Sequence, residues 1–199
     1  MMNLKLAMVG LSIAGALLTP FAIAPAAQAA TAAAARPVSV VSAATGFTST
    51  IRSPATRGCI DVPGGVADEN VYILNSTCGA GLEERFDFVP VSAVAGAYAI
   101  VNRASSMCLT QYRSQPRQTE GVCVPVPSTI GSGALWYLVP LDATTHTYEL
   151  QPVYRGGGVC LRAGTVNLSW PDGGRIPNLY ETPCNSADAT QSFVIRHVN

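Results

Sequence analysis

The apolar positions of this chain fall into two regimes. From Leu6 to Ala24 they form a nearly unbroken run, interrupted by Pro20. Beyond about residue 45 they come in short bursts: Val71-Tyr72-Ile73-Leu74, Tyr98-Ala99-Ile100-Val101, Trp136-Tyr137-Leu138-Val139 and Phe193-Val194-Ile195. These bursts are β-branched or aromatic and flanked by turn residues, which predicts short strands. Pro63-Gly64-Gly65, Gly131-Ser132-Gly133, Gly156-Gly157-Gly158 and Trp170-Pro171-Asp172-Gly173 predict loops or hairpin turns between strands. No segment after the leader sustains a helical apolar period, so the expected class is all-β.

The first regime reads as a secretory signal over residues 1–29. Lys5 ends a short basic n-region, the apolar run follows, and Ala27-Gln28-Ala29 supplies small residues at the −3 and −1 positions of a cleavage site. Such a run is nearly long enough for a membrane anchor. Pro20 and the small-residue site favour cleavage, leaving no membrane span in the mature chain. Residues 30–45 are Ala-rich and read as a flexible leader, with the domain proper expected over 46–199. Localisation is therefore expected to be extracellular.

Charge narrows the partners. The 199 residues carry twelve basic and twelve acidic side chains, and Lys5 is the only lysine. Without the signal segment, eleven arginines face twelve acids. A field so close to neutral excludes nucleic acid and anionic membrane as principal partners.

Export permits disulfides. All six cysteines (Cys59, Cys78, Cys108, Cys123, Cys160, Cys184) lie beyond the leader, at separations of 19, 30, 15, 37 and 24. Zinc would need close cysteine pairs with histidines nearby, and the chain has only His146 and His197. No metal and no cofactor are expected. An internal repeat helps choose among the fifteen possible pairings. Gly58-Cys59-Ile60-Asp61, Met107-Cys108-Leu109-Thr110 and Val159-Cys160-Leu161-Arg162 recur at intervals of 49 and 52 residues. Each is preceded by an aromatic (Phe47, Tyr98, Tyr148) and followed by a second cysteine. Each unit closes on another aromatic, in Glu84-Arg85-Phe86, Ala134-Leu135-Trp136 and Gln191-Ser192-Phe193. The simplest pairing is within units: Cys59–Cys78, Cys108–Cys123 and Cys160–Cys184.

Three units of about fifty residues, each ending in a Q-x-W-like aromatic, resemble the ricin-type β-trefoil lectin family over about Phe47 to Asn199. The most specific likenesses are Cys59-Ile60-Asp61-Val62 and Ile100-Val101-Asn102-Arg103-Ala104-Ser105 before Cys108-Leu109. The Q-x-W signature is degraded: Gln191 alone keeps the glutamine and Trp136 alone the tryptophan. The resemblance implies a β-trefoil of three repeats, with these aromatics in its core.

It also implies a shallow sugar pocket in one or more units. There a carboxylate would accept hydrogen bonds from sugar hydroxyls while an aromatic face covers the C–H side of the ring. In the first unit Asp61 matches the family's carboxylate position. Ser76 takes the usual aromatic place, Glu83 and Glu84 replace the amides, and Tyr72 shares the strand parity of Ser76 and is a candidate stacking face. Three acids together would alternatively suit a cation or a basic partner, and Asp61 alone could serve a nearby turn amide. The second unit has Thr110 and Gly121 at the corresponding positions, and the third has Arg162 and Thr182, with Asn178 and Tyr180 nearby. Neither matches a neutral-sugar pocket.

No nucleophile, metalloprotease or phosphate-loop motif is present, and adjacent acids do not supply the separated acid and base of a glycosidase. A non-catalytic carbohydrate-binding module, with a glycan or polysaccharide as partner, is the leading expectation. The alternative is a protein-binding trefoil, such as a protease inhibitor or the targeting subunit of a secreted complex. Its contacts would come from loops Gln111–Gln118, with Arg113 and Arg117, and Gly164–Pro177, with Trp170. Two glycosylation sequons, Asn75-Ser76-Thr77 and Asn167-Leu168-Ser169, complete the inventory.

Overall fold

The computed structural model describes residues 46–119, 123, 133–166 and 178–196. Among these, twelve strands fall four to a unit. The first unit holds β1 (Phe47–Ser53), β2 (Gly58–Asp61), β3 (Leu74–Thr77) and β4 (Arg85–Pro90). The second holds β5 (Ala97–Asn102), β6 (Cys108–Tyr112), β7 (Gln115–Thr119) and β8 (Leu135–Asp142). The third holds β9 (Thr147–Pro152), β10 (Val159–Ala163), β11 (Leu179–Pro183) and β12 (Phe193–Ile195).

The outer strands of each unit form a closed antiparallel barrel. β1 pairs β4, β4 pairs β5, β5 pairs β8, β8 pairs β9, β9 pairs β12, and β12 returns to β1 through Ile51 opposite Ile195. Closure leaves no barrel edge open to pairing with another chain. The inner strands make three hairpins, β2–β3, β6–β7 and β10–β11. This is a β-trefoil.

Threefold repetition shows in the core as well. Ile51, Ile100 and Leu150 point inward from β1, β5 and β9. The residues after each first cysteine (Ile60, Leu109, Leu161) and the closing aromatics (Phe86, Trp136, Phe193) are fully buried in the same cluster. Burying a side chain of this size contributes roughly 1.5–3 kcal/mol. The Trp136 indole N–H donates to the Leu109 carbonyl at 2.8 Å, so its one polar atom is satisfied inside the core. The disulfides link Cys59–Cys78, Cys108–Cys123 and Cys160–Cys184, with Cα–Cα distances of 4.9, 5.5 and 4.9 Å.

Two expected elements move. Val71–Leu74 is not a strand: β3 begins at Leu74, and the preceding residues instead meet the second unit. Asn70 N–H donates to the Gln118 carbonyl, Gln118 N–H to the Val71 carbonyl and Ile73 N–H to the Pro116 carbonyl. Asn70, at φ 63°, turns the chain toward that neighbour. Gln111–Gln118 is not a loop either. It forms the end of β6 and most of β7, joined by a tight turn with Arg113 at its tip. Trp170, the Trp170–Gly173 turn, Gly131–Ser132 and Asn167 lie outside the described residues.

Candidate carbohydrate site in the first unit

Asp61 ends β2 and sits beside Ser76 because the register places Cys59 opposite Ser76 and Asp61 opposite Leu74. Positions two apart on a strand share a face, so Asp61 and Ser76 point to the same side, away from core-facing Ile60. A 3-10 turn over Leu82–Glu84 brings up the other carboxylates. That turn is tied to β2 by the Val62 N–H donating to the Glu83 carbonyl at 3.1 Å. From the second unit the buried Asn102 amide donates to the same carbonyl at 2.7 Å. The result is an open depression of roughly 480 Å³ lined by Asp61, Gly64, Ser76, Thr77, Gly79, Glu83 and Glu84.

Three of the four candidate residues thus meet at one concavity. Tyr72 does not line it. Its ring carries the Arg117 guanidinium 4.1 Å from the centroid, and its hydroxyl accepts a hydrogen bond from the same group. The shift of β3 moves Tyr72 off the strand that lines the depression. No aromatic lines the depression among the described residues.

Asp61 is buried, with 6% of its surface exposed. The Glu83 side chain lies back over Gly81, where an added Cβ would fall 2.1 Å from its carboxylate oxygens. Glu84 is deeper: one carboxylate oxygen accepts the Gly79 N–H at 2.6 Å, and the other is buried without a hydrogen-bond partner. Burial pushes the Glu84 carboxyl up, the Gly79 N–H pulls it down, and the Asp61 and Glu83 charges push it up again.

Asp61, Glu83 and Glu84 do not bring three ligand atoms within 4.8 Å of one another. Among the described residues the one His/Cys/Asp/Glu trio with ligand atoms all within 4.8 Å is Glu149 with Cys160 and Cys184, and both sulfurs there belong to a disulfide. What the depression offers is a set of hydrogen-bond acceptors with the buried Ser76 hydroxyl and the exposed Thr77 hydroxyl beside them.

The other units use the matching positions differently. Thr110 is buried and its hydroxyl donates to the Cys108 carbonyl at 3.4 Å. Arg162 Nε lies 3.5 Å from an Asp188 carboxylate oxygen and donates to the Thr190 hydroxyl. Asn178 is a clamp between units: it accepts the Asn75 N–H at 2.8 Å and donates to the Asn75 carbonyl at 2.7 Å. Asn75 itself is buried, its amide donating to the Thr56 hydroxyl and the Gly164 carbonyl, which closes that sequon in the folded chain. His146 occupies the left-handed turn position between β8 and β9, and His197 lies outside the described residues.

The residues that sequence reasoning passed over are Asn102 and Gly79. Asn102 lies inside the quoted Ile100–Ser105 phrase, which was the available signal. Gly79 had none.

These features define a β-trefoil. Residues 38–124 match the model of a family described as ricin-type beta-trefoil lectin domain-like. Solved structures share the fold at low sequence identity. The designed threefold-symmetric protein ThreeFoil superposes at a TM-score of 0.57 with 15% identity, covering 76% of this chain and 99% of that one. The Rhizoctonia solani agglutinin gives 0.56 and 13%, covering 77% and 96%. The Macrolepiota procera ricin B-like lectin, solved in complex with lactose, gives 0.51 and 12%, covering 76% and 95%. No curated protein matches the chain. Among the described residues no helix is long and apolar enough to cross a membrane.

Proposed function

We propose that this protein is an exported carbohydrate-binding module that acts through the first-unit depression and performs no catalysis. One observation carries the reading: β2, β3 and the 3-10 turn bring Asp61, Ser76, Glu83 and Glu84 together at one open concavity. Asp61 accepts hydrogen bonds from two neighbouring sugar hydroxyls, and the Ser76 and Thr77 hydroxyls lie beside it to fix orientation. The ricin-type likeness and the lactose complex of one structural neighbour support sugar as the ligand class. Three disulfides support a site of action outside the cell.

Without an aromatic platform, affinity rests on hydrogen bonds that compete with water. Binding of a monosaccharide is then expected in the millimolar range, about −4 kcal/mol. A glycan panel tests this, with Asp61→Ala as the variant and circular dichroism as the check that it folds. Loss of binding in the folded variant is the expected result. A panel with no hits, or one unchanged by Asp61→Ala, overturns the proposal.

A further inference from the structure

A second concavity lies elsewhere on the first and third units, and its chemistry is opposite. About 500 Å³ in volume, it is lined by Thr50, Arg52, Pro54, Arg57, Val194 and Arg196. The register explains why three arginines meet there. Ile51 pairs Ile195 and both are buried in the core, so the alternate residues Thr50, Arg52, Val194 and Arg196 all face outward. Arg52 stands opposite Val194, and Arg196 is its diagonal neighbour across the β1–β12 seam. Arg57 reaches the same hollow from the turn after β1, at φ 59°. That left-handed conformation suits a glycine better than an arginine.

Each of the three is exposed, and none forms an ion pair among the described residues. The ion pairs formed there use Arg103, Arg155 and Arg162 instead. Among the described residues no acid lines the hollow. The acid on neighbouring β4, Asp87, is held by the Thr48 hydroxyl and by Arg103 at 3.6 Å. Like charges on adjacent strands repel unless a counter-charge intervenes, and this cluster persists in a chain with no net positive charge.

We propose that this hollow binds an acidic polysaccharide, with a sulfate or uronate substituent seated among Arg52, Arg57 and Arg196. Guanidinium groups match such oxyanions with paired hydrogen bonds. The volume greatly exceeds one oxyanion, and the Pro54 and Val194 side chains give the sugar ring an apolar wall. A nucleic acid would want aromatic faces for its bases, and the lining has none. The site is distinct from the Asp61 depression, and the two are read with different probes: charged saccharides here, neutral glycans there.

The test is calorimetric titration of the full chain at low salt with a heparin tetrasaccharide, beside its desulfated, N-acetylated counterpart and inorganic sulfate at equal charge. Two variants carry it: Arg57→Gly, which removes a charge and relieves the turn, and the double Arg52→Gln/Arg196→Gln. Each should weaken binding of the sulfated tetrasaccharide about tenfold or more without lowering the unfolding temperature, and added salt should weaken wild-type binding. Unchanged affinity in both variants overturns the proposal. So does loss of affinity in an Arg113→Gln/Arg117→Gln control with these two variants unaffected, because that places the charge at the β6–β7 hairpin. Inorganic sulfate binding as tightly as the saccharide overturns the polysaccharide assignment.

Discussion

Glu84 and Gln191 occupy matching places in their units, each the last residue of a 3-10 turn leading into a barrel strand. Both are buried, and both accept an N–H from the residue after the unit's second cysteine, Gly79 at 2.6 Å and Asn185 at 2.8 Å. Their other arms differ. The Gln191 amide donates to the Thr182 hydroxyl and the Pro183 carbonyl, whereas the second oxygen of Glu84 has no partner. Only a protonated Glu84 can donate as that amide does. This gives a structural meaning to its raised pKa, whose largest cause is burial. A carboxyl raised by folding contributes stability that is full below its ordinary value of 4.5 and is lost as pH rises through the folded value. Glu84→Gln should therefore stabilise the protein by about 1 kcal/mol at pH 7–8 and change it little at pH 4, as read from denaturant midpoints at the two pH values.

Glu181 makes a parallel case outside the site. Burial raises its carboxyl to about 7, against lowering by the Gln111 amide and by Arg155 at 4.0 Å. Its contribution is full below 4.5 and falls away as pH climbs toward 7 and beyond. Unfolding midpoints should thus drop between pH 5 and pH 8, and Glu181→Gln should flatten that part of the profile. The wild-type drop attributable to this group is on the order of 2 kcal/mol. An unchanged slope in the variant would show that Glu181 is not its source.

At the scale of elements, what the sequence disclosed followed the repeat. Cysteine spacing and closing aromatics marked each unit, and short apolar bursts flanked by turn residues marked β5, β8 and β12 as strands. Asp61, Glu83 and Glu84 became candidates through the family resemblance, which places its site residues at fixed offsets from a cysteine or a closing aromatic. Tyr72 was misread because parity holds only while the strand continues. Asn70–Ile73 satisfies its backbone against β7 rather than against β2, a contact between units that no local pattern announces. The same limit hid the Asn75–Asn178 clamp, whose partners are 103 residues apart. The disulfides belong to this scale too, each linking the two arms of one inner hairpin. Replacing Cys160 and Cys184 with alanine, which opens a 24-residue separation, should cost about 3 kcal/mol by loop-closure entropy. Thermal unfolding of the double variant measures it; an unaltered midpoint would mean that β10–β11 pairing alone holds the unit.

For the molecule as a whole, the seam between β1 and β12 brings the two ends of the described chain together. Ile51 faces Ile195, and the Ser49 hydroxyl donates to the Arg196 carbonyl at 2.5 Å. A circular permutant joining Arg196 to Gly46 through a short Gly/Ser linker, opened between Gly156 and Gly157 in the turn after β9, should keep the barrel. Closing a short loop where ends already meet costs little, so its stability should lie within ~2 kcal/mol of the parent chain. A molten or aggregated permutant would refute that.

The same seam imposes an order in time. β12 is the last described strand to be synthesised and β1 the first, so during synthesis β1 has one barrel neighbour in place, β4, while its other side waits for nearly the whole chain. The barrel cannot shut until the C-terminal strand has emerged. Pairings this distant in sequence also slow the final step. β1 therefore keeps an open edge until β12 has been made and has cleared the ribosome.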